Sequence, residues 1–192
     1  MHRPTVTLMN TIRRIPLVAA LVAAAILVAS PVSAYAEKGP PGDIPDNQAF
    51  VTFRGAGYSL KIPEGWPRTK TTSRVTFADK YNSIRVDSSK AGTRPTRSSV
   101  IRSELPKLRA TVKGFALANV TSVKRPAGTA ILVTYRATSA PNPVTGKTVT
   151  NDVERYEFFQ NGKLAVLTLQ APKGSDNVDP WKIVTDSFRW TR

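Results

Sequence analysis

Two apolar runs flank Asn161-Gly162 in the stretch Asn151–Ala171, NDVERYEFFQNGKLAVLTLQA. That dipeptide accepts the positive φ angles of a type I′ turn at little steric cost, so the stretch reads as a long central β-hairpin. Tyr156, Phe158, Leu164, Val166, Leu167 and Leu169 supply most of its buried bulk. Neither strand carries a nucleophile or a metal-ligand cluster. The stretch specifies a core, not a reaction.

The N-terminus has to be set apart before the rest can be read. Arg3, Arg13 and Arg14 precede an uncharged run from Ile15 to Ala29, and Ala34-Tyr35-Ala36 follows with small residues where a signal peptidase cuts. This layout predicts a secretory signal over residues 1–36, cleaved after Ala36 and leaving an extracytoplasmic protein. The run falls short of the ~20 residues that a membrane span needs, and Pro16 and Pro31 bracket it. Arg13-Arg14 leaves both the general secretory and the twin-arginine routes open. Residues 37–48, EKGPPGDIPDNQ, read as a flexible leader, and residues 49–192 as one domain.

The chain has no cysteine, and its one histidine is His2. Beyond the signal, that excludes most zinc sites, Cys–His pairs and Ser–His–Asp triads. It also excludes a lipid-modified cysteine. The formal net charge is +15, and residues 68–125 hold 14 basic against three acidic side chains. Such a field attracts anionic partners and weakens with salt.

Alternation places Tyr58–Ile62, Arg74–Ala78 and Ser83–Asp87 in strands, with Val75, Phe77, Ile84 and Val86 inward and Arg74 and Arg85 on the opposite side. Thr96–Lys113 is the best helix. Ile101, Leu105, Leu108 and Val112 form its apolar stripe, Arg102, Arg109 and Lys113 a second stripe, and Pro106 predicts a kink or break. Leu117–Lys124, Thr129–Ala137, Val149–Gln160 and Lys163–Ala171 are further strands. Thr129–Ala137 is apolar on both faces and so is expected to be covered on both. Asp179 before Pro180 predicts a capped helix start, with Trp181, Val184 and Phe188 sealing the sheet.

Tyr58-Ser59-Leu60-Lys61-Ile62-Pro63-Glu64-Gly65-Trp66 resembles the Y-hydrophobic-P-x-G-W opening of the PsbP-like family. The ending is similar too: an Asn-Gly hairpin, a strand running into Ala171-Pro172, and a last helix closing on Ser187-Phe188-Arg189. The resemblance implies the α+β fold shared by Mog1, PsbP and DcrB, an antiparallel sheet flanked by helices in an α/β/α sandwich. It also implies a non-enzymatic accessory or binding protein without a cofactor.

Lys61, Arg74 and Arg85 would project from one side of neighbouring strands, and Arg102, Arg109 and Lys113 from one helix flank. If the two sets meet, they form a platform for phosphate- or carboxylate-rich ligands. The expected partners are an anionic envelope polymer, phospholipid headgroups or an acidic protein, with reversible electrostatic contact to a membrane surface. Nucleic acid is disfavoured, because the basic stretch lacks interleaved aromatics for base stacking. The alternative is a carboxylate-dependent hydrolase of envelope polysaccharide. Asp152 and Glu154 share one strand face, and Glu64 lies in a turn beside Trp66. Asp176, Asn177 and Asp179 lack the spacing of a calcium loop, so no metal is expected there.

Overall fold

The computed structural model describes residues 42–142 and 144–192. The expected signal peptide and the first part of the leader lie outside them. The remainder is a sheet-rich α+β fold built on two antiparallel sheets.

The larger sheet has seven strands. They are β3 (Arg68–Lys70), β4 (Arg74–Asp79), β5 (Asn82–Lys90), β6 (Ala116–Arg125), β7 (Gly128–Thr138), β8 (Thr150–Gln160) and β9 (Lys163–Pro172), in the order β3-β4-β5-β9-β8-β7-β6. The smaller sheet is β1 (Phe50–Arg54), β2 (Tyr58–Pro63) and β10 (Arg189–Trp190), with β2 in the middle. The expected hairpin is β8–β9. Asn161 and Gly162 both have positive φ, 49° and 72°, as a type I′ turn requires.

One face of the large sheet presents Val75, Phe77, Ile84, Val86, Leu167, Leu169, Tyr156 and Phe158 to the small sheet and to α3 (Val178–Ser187). Phe188 is the centre of this core: its ring lies 4.6 Å from that of Phe158 and 5.7 Å from that of Tyr58, nearly parallel to both. The other face presents Val120, Ile131, Val133, Tyr135 and Val153 to the helical segment that follows β5. Strand β7 therefore buries Ala130 on one face and Ile131 and Val133 on the other, as its sequence suggests.

That helical segment departs from the expected register. Thr96 caps α1 (Arg97–Ser99) through a capping box: its Oγ1 accepts from the Ser99 N–H, and Ser99 Oγ accepts from the Thr96 N–H. A π-turn over Val100–Glu104 follows, and then α2 (Leu105–Thr111). Pro106 has no N–H to donate, and in a regular α-helix its ring would press on the carbonyl four residues back. The wider turn just before it, with the Leu105 N–H bonded to the Val100 carbonyl, relieves that clash. The buried stripe becomes Val100, Leu105 and Leu108, while Ile101 is left 42% exposed.

Helix α3 starts at Val178 and is preceded by Asn177, so Asp179 lies inside the first turn instead of capping it. Asn177 is turned elsewhere. Its Oδ1 accepts from the Ile44 N–H at 2.8 Å, and its Nδ2 donates to the Gly42 carbonyl at 3.0 Å. The described part of the expected flexible leader is thereby tied down, with Ile44 buried.

Candidate basic binding face

Register decides which charges share a face. Across the large sheet Arg85 pairs with Thr168, Thr168 with Arg155 and Arg155 with Val133. In the next row Arg74 pairs with Asp87, Asp87 with Val166, Val166 with Glu157 and Glu157 with Ile131. Val133 and Ile131 lie beneath α1 and α2, so the whole polar strip faces the helical side. Arg74 and Arg85 thus share the side covered by the helical segment that carries Arg102 and Arg109. Lys113 lies past the end of α2 and not on the helix flank expected for it, its carbonyl accepting from the Thr138 N–H of β7. Lys61 is not on the helical side. It sits in β2 of the small sheet, points away from the core beside Leu60 and Ile62, and shares a shallow hollow with Lys182, Asp186 and Arg189. The grouping of Lys61 with Arg74 and Arg85 fails because β2 pairs with β1 and β10, not with β4.

The five cations differ in how far their charge is answered. Arg74 Nε lies 2.6 Å from Asp87 Oδ1, and Arg85 Nε lies 2.9 Å from Asp87 Oδ2. One carboxylate therefore serves two guanidiniums. Arg102, Arg109 and Lys113 are exposed, and among the described residues no carboxylate lies within 4 Å of them. Residues 90–113 hold seven basic side chains against one acid, Glu104. Glu104 is itself engaged, 3.1 Å from Lys107 and 3.7 Å from Arg155.

On the helical side of the central strands β8 and β9 lies a buried polar set that sequence reasoning missed. Arg155 Nε is 3.5 Å from Glu157 Oε1, and the Thr168 hydroxyl makes no hydrogen bond among the described residues. Burial is the main force pushing the Glu157 carboxyl above the usual range. Arg155 opposes the shift and Glu104 adds to it. Burial likewise raises Tyr135, against the positive charge of Arg155 and Arg85, so both guanidiniums act on that hydroxyl. The available signal was the alternation of Val153, Arg155 and Glu157 opposite Tyr156 and Phe158 in one strand. It shows that a charged pair turns away from the aromatic core, but not what it turns toward.

Asp152 and Glu154 lie on the opposite face, as their spacing predicts. Asp152 accepts from Arg136 Nε at 3.1 Å and from the Gly174 N–H at 3.3 Å, while Glu154 accepts from the Tyr156 hydroxyl at 2.6 Å. Glu64 is exposed in a separate turn, where the Gln48 side chain bonds its backbone carbonyl. Among the described residues no group of three or more His, Cys, Asp or Glu side chains could hold a metal ion. No helix among them is long and apolar enough to cross a membrane.

Two antiparallel sheets with helices on both outer faces of the larger one define the Mog1/PsbP fold, and the chain has that fold. Cyanobacterial PsbP from Synechocystis sp. PCC 6803 superposes with a TM-score of 0.52 at 15% identity, covering 84% of this chain and all of that one. The Ran-binding protein Mog1p of Saccharomyces cerevisiae aligns at 0.46 and 11% identity over 75% of this chain and 95% of its own. LpqN of Mycobacterium tuberculosis, involved in cell envelope biogenesis, aligns at 0.42 and 14% over 77% and 93%. At these identities the likeness is one of fold. No family model matches the sequence, and no curated protein is significantly similar to it.

Proposed function

We propose that the protein is an exported, non-enzymatic binding protein that docks an anionic partner on the helical side of its large sheet. The supporting observation is the segment 90–113, where Arg102, Arg109 and Lys113 stand exposed without an acidic partner on a layer carrying one carboxylate. Unpaired cations gathered on one surface attract anions in a salt-dependent way. The partners that fit are an anionic envelope polymer, anionic lipid headgroups or an acidic protein. Export rests on the N-terminal sequence and the charge on the helical layer.

Cosedimentation with phosphatidylglycerol vesicles, phosphatidylcholine vesicles and an anionic polymer such as lipoteichoic acid tests this across a salt series. Binding to anionic targets should weaken steeply with salt and fall about tenfold or more in Arg102→Glu/Arg109→Glu, the scale set by reversing two rim charges. Lys61→Glu, on the other sheet, should bind as the parent does. Salt-independent binding, or equal losses from Lys61→Glu and the helix variant, overturns the proposal.

A further inference from the structure

The opposite face of the large sheet carries a second site. A trough lies beside α3 in two adjoining halves of about 350 Å³ each, one over β6, β7 and β8 and the other between β8, the end of β9 and α3. Trp181, Asp152 and Glu154 line both halves. Trp181 is half-buried and forms the wall contributed by α3. Each half falls in the size range of small-ligand sites.

The polar groups in the trough are organised and mutually neutralised. Arg125 Nη2 donates to the Tyr156 hydroxyl at 3.2 Å, and that hydroxyl donates to Glu154 Oε2 at 2.6 Å. Arg125 also stacks over the Tyr156 ring, 5.3 Å from its centroid. Asp186 takes Arg125 at 3.6 Å and Lys182 at 2.9 Å, while Asp152 takes Arg136 at 3.1 Å. Asp186 lies outside the lining, but through it and Asp152 each of the three cations that line the trough, Arg125, Lys182 and Arg136, already has a carboxylate partner. An ionic ligand would meet no net attraction there and would have to break an existing pair.

A neutral ligand that is apolar on its face and rich in hydroxyls at its edge meets a better surface. An indole offers the flat apolar platform, and fixed carboxylates and guanidiniums offer acceptors and donors around it. We infer that this trough binds a neutral saccharide, with one ring packed on Trp181 and its hydroxyls hydrogen-bonded to Glu154, Asp152 and Arg125. The site is independent of the basic helical face, and the two stand or fall separately.

Isothermal titration calorimetry of the purified protein with maltotriose, cellotriose and chitotriose tests the inference. At least one should bind, with an affinity insensitive to salt. Trp181→Ala should weaken it about tenfold or more, within the range for loss of an aromatic anchor. Glu154→Gln, which keeps the shape and a hydrogen-bond acceptor for Tyr156, should weaken it severalfold and guards against misfolding of the first variant. Arg102→Glu/Arg109→Glu should leave saccharide binding intact while weakening anion binding about tenfold or more. Absence of binding to all three sugars, or binding unchanged in both folded trough variants, overturns the inference.

Discussion

Arg97 reaches from the first turn of α1 to the outer edge of the large sheet, where its Nε donates to the carbonyl oxygen of Val120 at 2.8 Å. Val120 is in β6, an edge strand of ten residues. Its N–H is also taken, by the Oδ1 of Asn119 at 2.8 Å. A register break between Leu117 and Asn119 interrupts the ladder just before it. A long open edge invites pairing with another chain, and here its middle is capped on both backbone groups beside a bulge.

Arg97→Ala should therefore expose a pairing edge. The expected result is a loss of about 1.5–3 kcal/mol for a charged hydrogen bond, together with concentration-dependent self-association beyond that of the parent. Urea unfolding measures the first and light scattering the second. The double variant with Asn119→Ala should associate more strongly than either single change.

Phe188 is fully buried and stacked against Phe158 and Tyr58. Phe188→Ala removes the ring that joins α3 and the small sheet to the large one. A loss of about 3–5 kcal/mol is expected in chemical denaturation, the usual scale for an aromatic-to-alanine change in a core.

Glu157 is 4% exposed, and burial raises its carboxyl above the ordinary value of 4.5. The folded state then holds a proton that the unfolded state has released, so stability falls as pH rises from 4.5 through the folded value. Stability measured against pH should show this decline in the parent and lack it in Glu157→Gln. Parallel curves for the two proteins would rule the linkage out.

Asn177 is buried and bonds both Gly42 and Ile44. In Asn177→Ala the segment at residues 42–44 loses those bonds. Its amides should exchange with deuterium faster, while those of β8 and β9 stay protected. The global loss should be about 1–3 kcal/mol, since buried partners are left unpaired.

Much of the fold was legible because its signals are local. Asn161-Gly162 announces its turn through a φ preference, and the alternation in β4, β5, β7, β8 and β9 assigns faces without knowledge of any neighbour. Val184 and Phe188 likewise mark the inner side of α3. Pro106 warned of a disturbed helix, though not that a π-turn would replace Ile101 with Val100 in the buried stripe.

What the sequence by itself determined was the strand faces, the turn and the charge carried by residues 68–125. Which strand lies beside which was decided only by tertiary pairing. Residues far apart in the chain meet there at a total gain that no local preference encodes. That pairing put Lys61 in a separate sheet and aligned Arg85, Thr168 and Arg155 across three strands. It also opened the trough beside Trp181, since period and propensity describe one segment at a time whereas a site is a relation among several.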